Sequence, residues 1–254
     1  MKDDSSPDKS EDEDIAIEED SVSEKVSEKK PAPFDTSGEL DFDFVAYDQD
    51  ICILGSKGSG KSYLANSIMK GLRGISVWVY DFNFQFHSSR AMVFNDINKM
   101  LEVYDSTNPK RGHYILQAHD NSENTFKRFC SEGFKRGNLV LIMDEAHSFL
   151  TKQKQLKEFN NIILSGRPRG IPCITLSSRP ASLPNNVLTN AKHVFAFKLN
   201  LESDVKFLEG FLGSDVWILL PPDKRQKRKD EAQLPEHTFF YRDMDKSQGM
   251  IGKV

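Results

Sequence analysis

The residues with the clearest chemical signature are 55–62, which read GSKGSGKS between an apolar run and an amphipathic stretch. Glycines at this spacing let the backbone bend, so that successive amide N–H groups face an anion with no Cβ in the way. The lysine and hydroxyl residue that follow suit the terminal phosphates of a nucleotide and a Mg²⁺ ion, respectively. The pattern therefore predicts an ATP-binding phosphate loop (P-loop, Walker A) between a strand and a helix.

We expect the nucleotide to contact every residue of this loop and the one that follows it: Gly55, Ser56, Lys57, Gly58, Ser59, Gly60, Lys61, Ser62 and Tyr63. Within that set, Lys61 is also a catalytic candidate, because its charge can reach the β- and γ-phosphates. Ser62 is a candidate Mg²⁺ ligand through its hydroxyl. The helix that begins here adds the positive end of its dipole to the same site.

Two carboxylates, Asp144 and Glu145, directly follow the apolar run Leu139–Met143. Only a strand buried on both faces tolerates such a run, and its carboxyl end is expected beside the phosphate loop. This is the Walker B arrangement, in which Asp144 holds Mg²⁺ through water and Glu145 polarises the attacking water as a catalytic residue. The alternative is that both are ordinary polar residues at a strand end.

Two more candidates flank the apolar run 173–176. Ser178 follows the run and is predicted to touch the γ-phosphate or the attacking water. Arg167 precedes it in the loop SGRPRGIP, and arginine stabilises charge on a transferring phosphoryl group from across a subunit interface. A solvated loop or a contact with a phosphate backbone explains this arginine equally well. If Arg167 acts in trans, the enzyme must be an oligomer.

The scaffold for these residues is visible as short apolar runs alternating with amphipathic stretches after Asp48. This alternation is typical of β–α units around a buried parallel sheet, so we predict an α/β fold of the RecA-like P-loop NTPase type, with a mainly parallel sheet and helices on both faces. The predicted strands are 51–54, 75–80, 114–117, 139–143, 173–176, 194–197 and 237–241, and the predicted helices are 61–72, 96–103, 123–134, 155–164 and 202–211.

Composition limits the domain plan. The 254 residues, 38% of them hydrophobic, suffice for one α/β core of ordinary size. Residues 1–38 are rich in Ser, Asp, Glu and Lys without apolar periodicity, so we predict a disordered acidic arm before a P-loop ATPase domain at 39–254. The arm is either a solubilising tail or a tether that binds a partner or mimics the charge of nucleic acid.

No run approaches the roughly 20 apolar residues that a membrane span needs, and the amino terminus has no apolar signal core. We therefore expect no transmembrane segment and a cytoplasmic protein, in its own cell or, if it is viral, in the host cytoplasm and the virion. The three cysteines lack any metal-ligand spacing and are expected to be buried thiols.

The order of the segments GSKGSGKS, LVLIMDEAHSFL and SGRPRGIPCITLSSRPASLPNNVLTNAKHVFAFKLN resembles the HerA/FtsK-like DNA-translocating ATPases, and among them the small genome-packaging ATPases of viruses. The likeness spans about residues 51–213. It implies a homo-oligomeric, hexameric ring in which Arg167 acts between subunits, and a carboxylate near the nucleotide at Asp81. One departure is that the family's usual glutamine at the strand end is serine here, at Ser177 and Ser178.

The resulting prediction is a Mg²⁺-dependent ATPase that translocates double-stranded DNA, in the form of a motor that packages viral DNA into a capsid with capsid or membrane-vertex proteins as partners. The alternatives are an assembly or secretion ATPase of the filamentous-phage morphogenesis type and a cellular helicase-like translocase. Independent support for DNA comes from a loop that could face the pore of a ring and holds five cations: Lys224, Arg225, Lys227, Arg228 and Lys229. A solvated charged loop is the other interpretation, because acidic residues flank the run.

Overall fold

A nine-stranded sheet forms the frame of the protein in a computed structural model that describes residues 49–107, 111–246 and 249–254. The predicted acidic arm, 1–38, and the predicted domain start at residue 39 lie outside the described residues. The strands are β1 Ile51–Leu54, β2 Ser76–Tyr80, β3 Ala91–Phe94, β4 Gly112–Leu116, β5 Leu139–Met143, β6 Cys173–Ser177, β7 His193–Phe197, β8 Thr238–Asp243 and β9 Met250–Lys253. Their order across the sheet is β3-β4-β2-β5-β6-β1-β7-β8-β9.

Strands β3 to β7 in that order are all parallel, and β8 and β9 add an antiparallel margin. Helix α1 packs on one face and the other described helices pack on the opposite face, which confirms the predicted α/β fold with helices on both sides. The helices are α1 Lys61–Gly71, α2 Ile97–Ser106, α3 Glu123–Arg136, α4 Lys157–Ser165, α5 Asn185–Asn190 and α6 Glu202–Leu212.

The core follows the strand periodicity of two. In β1, Ile51 and Ile53 pack on the α1 side of the sheet, while Cys52 and Leu54 pack on the other side. The same division runs through the neighbouring strands, because successive side chains of a strand point to opposite faces. All three cysteines are buried free thiols, as predicted.

The seven predicted strands and five predicted helices are all present, with ends displaced by a few residues at most. Strands β3 and β9 were not predicted; they are four residues long and partly exposed, and Val93 of β3 and Ile251 of β9 are 55% and 61% exposed. Strands at a solvent-exposed edge of a sheet bury too little apolar surface to produce a clear hydrophobic pattern in the sequence. Within the described residues, no helix has the length and hydropathy needed to cross a membrane.

The topology brings three strand ends together. Strands β5, β6 and β1 are neighbours in the sheet and run in the same direction. Their carboxyl ends carry, in that order, the acidic pair at 144–145, Ser178 and the phosphate loop. Segments far apart in the chain therefore meet at one edge of the sheet, where ligands of open α/β sheets bind.

Candidate nucleotide-binding and hydrolysis site

The phosphate loop leaves β1 in a conformation that two glycines make possible. Gly55 has a φ of 152°, and a Cβ there would lie 2.6 Å from the Cβ of Phe197. Gly60, the residue before α1, has a φ of 113° and also lies against the Phe197 ring. The backbone N–H of Ser56 donates to the carbonyl of Lys198 at 2.8 Å, which fixes the loop to the end of β7. The loop is thus a tightly packed turn in which larger residues at 55 and 60 would clash.

Lys61 is folded back over this loop. Its side chain is buried, and Nζ donates to the backbone carbonyl of Ser56 at 3.1 Å. Burial lowers the pKa of Lys61, while the carboxylates of Glu145 and Asp144 act in the opposite direction. The ammonium group is therefore held beside two acidic groups in a poorly solvated site, where an incoming anion can replace the Ser56 carbonyl as its partner.

A cavity of about 210 Å³ opens over the loop and the start of α1. Its walls are Lys57, Gly58, Gly60, Lys61, Ser62, Tyr63, Asn83, Gln85, Glu145 and His237. A second cavity of about 230 Å³ lies on the other side of the loop and is lined by Ser56, Lys57, Gly58, Ser59, Lys198, Asn200, Glu236 and His237. All the predicted nucleotide-binding residues line one of the two cavities except Gly55, which is buried behind them. A nucleotide contact by any of them remains a prediction.

Three residues that line the first cavity were not predicted from the sequence. Asn83 and Gln85 follow β2, and His237 precedes β8, about 175 residues after the loop it meets. None of them belongs to a local motif, so only the folded arrangement brings them to the site. The closest signal was Asp81, at the start of the segment that carries Asn83.

Asp81 shapes that segment and does not face the cavity. The side chain is fully buried, and its carboxylate accepts hydrogen bonds from the backbone N–H groups of Gln85 and Phe86 at 2.9 and 3.0 Å and from the Gln117 amide at 2.8 Å. These bonds hold the turn that directs Asn83 towards the acidic pair. The expected nucleotide contact at Asp81 is thus replaced by a structural role one layer behind the site.

Asp144 lies beneath the cavity and is only 1% exposed. Its Oδ2 accepts hydrogen bonds from the backbone N–H and the side-chain amide of Asn83, both at 3.2 Å. Burial raises the pKa of Asp144 to about 7, and the nearby charges of Glu145 and Asp81 add to this effect. A cation beside this carboxylate would reverse these effects and favour its ionised form.

The donor set at this point suits Mg²⁺. The Ser62 hydroxyl and the Asp144 carboxylate are hard oxygen ligands, and Mg²⁺ is commonly held by one or two such groups together with substrate phosphates. Among the described residues, no group of three or more His, Cys, Asp or Glu side chains is arranged to hold a metal ion.

Glu145 follows Asp144 in a left-handed conformation, with a φ of 45°. Its Oε2 accepts two hydrogen bonds from Ser178, and Nδ1 of His147 lies 3.1 Å from the same oxygen without forming an aligned hydrogen bond. Burial alone would raise the pKa of Glu145. The neighbouring His147, the charge of Lys61 and the Ser178 hydrogen bonds outweigh burial and lower this pKa to about 2. Glu145 is therefore ionised throughout the physiological pH range.

Ser178 reaches the site through Glu145. Both of its donors, the backbone N–H and the hydroxyl, are directed at that carboxylate. The predicted contact of Ser178 with the γ-phosphate or the attacking water stays a prediction. In the structure, Ser178 orients the carboxylate of Glu145. A serine side chain at this strand end is long enough for that role.

Arg167 lies at the opposite edge of the sheet. It begins the 3-10 turn Arg167–Arg169, which precedes β6, whereas the phosphate loop follows the parallel strand β1. A strand of five residues separates the two edges by about 17 Å. This exposed arginine cannot act on the phosphate loop of its own subunit, so its predicted role is open only in trans. Its neighbour Arg169 is committed elsewhere, since it donates to the carbonyls of Phe134 and Lys135 at 2.8 and 2.9 Å.

Three cations of the loop at 224–229 are bound to other groups of the chain. Arg225 is buried, and its guanidinium donates to four backbone carbonyls of the surrounding loops. Lys227 pairs with Glu209, and Arg228 pairs with Glu231 and Asp215. Three of the five cations therefore stabilise the loop itself, which weakens the prediction that this loop binds a DNA backbone.

A known protein family matches the part of the chain that carries this site. The AAA domain family matches residues 46–180, a span that covers more than half of the chain and includes the phosphate loop, the acidic pair and Ser178. The chain belongs to this family. In this AAA domain, the residues predicted to bind and hydrolyse the nucleotide lie at the adjoining ends of β1, β5 and β6.

Individual relatives agree with the resemblance to HerA/FtsK-like P-loop ATPases, which is confirmed. This AAA domain is 29% identical over 107 residues to the DNA double-strand break repair helicase HerA of Saccharolobus solfataricus; the match covers 41% of this chain and 21% of that protein. The chain therefore spans about a fifth of that relative.

Two solved structures share the fold. The genome packaging NTPase B204 of Sulfolobus turreted icosahedral virus 2, bound to ATP-gammaS, superposes with a TM-score of 0.62 at 20% identity, over 82% of this chain and 98% of that one. The DNA-packaging ATPase B204 of Sulfolobus turreted icosahedral virus gives 0.58 at 18% identity, over 81% and 97% of the two chains. At this level of identity the likeness establishes the shared P-loop fold.

Proposed function

We propose that the chain is a Mg²⁺-dependent ATPase that moves double-stranded DNA and works as a ring of identical subunits, a hexamer in the HerA/FtsK manner. The specific task we propose is packaging of viral DNA into a capsid, in the host cytoplasm, with capsid or membrane-vertex proteins as the docking partners of the ring. The likeness to HerA and to the two B204 structures supports the DNA and packaging parts. The hydrolytic part is supported by the site itself.

The observation that carries the hydrolytic proposal is the meeting of Lys61, Glu145 and Ser178 at one cavity edge. Lys61 and the backbone N–H groups of the loop are placed to hold the phosphates of ATP. Glu145 lines the same cavity and is fixed in direction by Ser178. A protein that only bound nucleotide would not need an oriented carboxylate at this point.

The low pKa of Glu145 defines its role. A carboxylate with a pKa of about 2 is a weak proton acceptor near neutral pH, so it accepts a hydrogen bond from the attacking water and orients that water towards the γ-phosphate. The attacking water then loses its proton late in the reaction, to the phosphate oxygens, which are the stronger base. Positioning and electrostatics account for most of the catalysis of phosphoryl transfer.

Ser62 and Asp144 are the residues that would hold Mg²⁺. Bound by these two residues, the ion would neutralise the charge that develops on the phosphate oxygens. Asp144 is kept in place by the two Asn83 hydrogen bonds. Lys61 precedes Ser62 in the chain, and burial lowers its pKa while the charges of Glu145 and Asp144 oppose that effect.

The proposed function is tested by ATP hydrolysis with and without long double-stranded DNA. We expect DNA to stimulate phosphate release by the wild-type protein, and the stimulation to disappear in Arg167→Ala. The control Arg167→Lys keeps the charge without the planar fork, so it should recover only part of the rate. Hydrolysis that ignores DNA would contradict the motor, whereas it would leave the ATPase intact.

Mixing variants tests the action of Arg167 in trans. Arg167→Ala retains a complete phosphate loop, and Lys61→Ala retains the arginine, so neither alone should hydrolyse ATP at the stimulated rate. In a mixed ring, the second variant can supply its arginine to the first, and activity should appear. Mixed oligomers without activity at any ratio would show that Arg167 has no such role.

A further inference from the structure

A row of arginines lies along the amino-terminal edge of the sheet, opposite the nucleotide site. Five neighbouring parallel strands, β3, β4, β2, β5 and β6, each begin within four residues after an arginine. We call these residues the arginine row; in spatial order they are Arg90, Arg111, Arg73, Arg136 and Arg169. Since adjacent strands are about 4.8 Å apart, the row is about 20 Å long.

The members of the row differ in how far their charge is neutralised. Arg136 forms ion pairs with Asp105 at 2.6 Å and with Glu132 at 2.5 Å. Arg90 donates to the backbone carbonyl of Lys70 at 2.7 Å, which orients the guanidinium and leaves its formal charge in place. Arg169 likewise uses backbone carbonyls as its acceptors. Arg90 and Arg169 therefore keep their formal charge in these contacts, whereas carboxylates neutralise that of Arg136.

The interior beneath the row responds to that charge. His113 of β4 is fully buried, and burial, followed by the charges of Arg90 and Arg73, lowers its pKa to about 4. Arg73, Arg90 and Arg111 are all exposed. The β3–β4–β2 end is thus a solvent-facing region of positive potential.

A cavity of about 870 Å³ opens along the same edge. It is larger than either cavity at the phosphate loop, and its walls include Arg73, Arg136, Tyr104 and Asn138. Because Arg136 is paired with Asp105 and Glu132, the groups in this wall that suit a ligand are the Arg73 guanidinium and the Asn138 amide, beside the Tyr104 ring. These groups suit a phosphate-bearing chain, because guanidinium groups bind phosphate oxygens through paired hydrogen bonds.

We propose that the arginine row holds the phosphate backbone of double-stranded DNA while nucleotide chemistry proceeds at the opposite edge of the sheet. This inference rests on the proposed DNA motor and moves the main DNA contact away from the loop at 224–229. One strand of B-DNA presents a phosphate about every 3.4 Å of helix axis, so a row of this length faces several phosphates. Contacts of this kind position a duplex without reading its sequence.

The placement has a consequence for coupling. Arg167 lies beside the β6 end of the row, where it is proposed to meet the nucleotide of a neighbouring subunit. At the other end, the exposed Arg90, Arg111 and Arg73 precede β3, β4 and β2. One rigid sheet edge would then carry a nucleotide-sensing arginine at one end and a DNA-holding surface at the other.

The test uses the double variant Arg73→Gln/Arg111→Gln, whose side chains are both exposed. Binding of a fluorescent mixed-sequence duplex is measured by anisotropy over a range of salt concentrations. Each lost phosphate contact reduces the slope of log K against log salt by about 0.9, so we expect a reduction of about 2 and roughly tenfold weaker binding at low salt. Hydrolysis of ATP without DNA should equal that of the wild type.

The matched control is Lys224→Gln/Lys229→Gln, which removes the same formal charge from two exposed cations of the 224–229 loop. We expect this variant to bind DNA as the wild type does. Equal loss in both variants, or loss in the control alone, would overturn the inference. So would displacement of the duplex by polyglutamate at the same charge concentration, since the row would then favour acidic polypeptides.

The outcomes also separate this inference from the proposed function. If DNA-stimulated hydrolysis survives in Arg73→Gln/Arg111→Gln with unchanged affinity, the motor stands and the arginine row does not hold DNA. If the wild type binds DNA through the row and its hydrolysis ignores DNA, the surface stands and the motor does not. A wild-type protein that binds no duplex at low salt would overturn both.

Discussion

Ser178 donates two hydrogen bonds to one oxygen of Glu145, from its backbone N–H at 3.0 Å and from its hydroxyl at 2.9 Å. The two residues follow neighbouring strands, β6 and β5, so the carboxylate is fixed by a strand other than its own. The backbone of Glu145 is left-handed, with a φ of 45°. Strand β6 also contacts the phosphate loop, because Gly55 donates to the carbonyl of Ser177 at 3.1 Å. A shift of β6 would therefore move both halves of the site.

Ser178→Ala removes the hydroxyl bond and leaves the backbone bond to Glu145. We expect kcat for ATP hydrolysis to fall about tenfold, since a lost hydrogen bond to a charged group is worth about 1.5–3 kcal/mol and part of it is kept by the backbone. Nucleotide affinity should not change, because both Ser178 donors are directed at Glu145. Single-turnover hydrolysis and equilibrium binding of a fluorescent ATP analogue measure the two quantities. Ser178→Thr retains a hydroxyl and should retain most of the rate; equal defects in both variants would point to packing.

Lys61→Ala should abolish measurable nucleotide binding, with a loss of about 100-fold or more in affinity, because a charge-assisted contact in a poorly solvated site is removed. The control is Lys57→Ala in the same loop, whose side chain is exposed and adds only a screened charge. Titration of both variants with the fluorescent analogue distinguishes them. Similar affinity losses for Lys57 and Lys61 would contradict the assignment of Lys61 to the phosphates.

The raised pKa of Asp50 predicts a specific dependence of the stability of the protein on pH. Burial raises its pKa to about 7, against the opposing hydrogen bond from the Cys173 N–H and the charge of Arg167. The folded state therefore holds a proton that the unfolded state has lost between about pH 4 and pH 7. The free energy of unfolding contributed by this group falls as pH rises through that window.

Asp50→Asn keeps an acceptor for the Cys173 N–H, at the position where Asp50 accepts at 2.7 Å, and removes the titration. Urea unfolding at pH 8 should show the variant more stable than the wild type by about 1–3 kcal/mol, with the difference vanishing near pH 4. Burial lowers the pKa of His113 and His193 to about 4, which gives the opposite slope, but both proteins share these groups and their contribution cancels. A constant difference across the pH range would show that Asp50 stays ionised when folded.

The sequence predicted the site best where the functional residues directly follow a buried strand. The phosphate loop and the acidic pair each follow a strand buried on both faces, and such strands produce unmistakable apolar runs. Asn83 and His237 could not be anticipated, because they reach the cavity only through the turn after β2 and the segment before β8. The loop at 224–229 shows the opposite error: a run of cations suggests a free binding surface, whereas the fold turns Arg225 inward and pairs Arg228 with acidic neighbours.

The arginine row also could not be predicted from local sequence patterns. Its members are dispersed in sequence, and only the parallel order of β3, β4, β2, β5 and β6 aligns them. The distance between Arg167 and the phosphate loop of its own subunit likewise follows from the direction of the strands. No feature of the loop SGRPRGIP indicates it. Local spacing predicts motifs well, and surfaces built from many strand ends require the fold.

The most direct test of the central claim compares ATP binding and phosphate release in Glu145→Gln and the wild type, with Mg²⁺ present. Glutamine preserves the shape of the side chain and removes the ionised group that orients water. We predict that the variant binds ATP with wild-type affinity and releases phosphate at least about 100-fold more slowly. A Glu145→Gln protein that hydrolyses ATP at the wild-type rate would contradict the hydrolysis site described here.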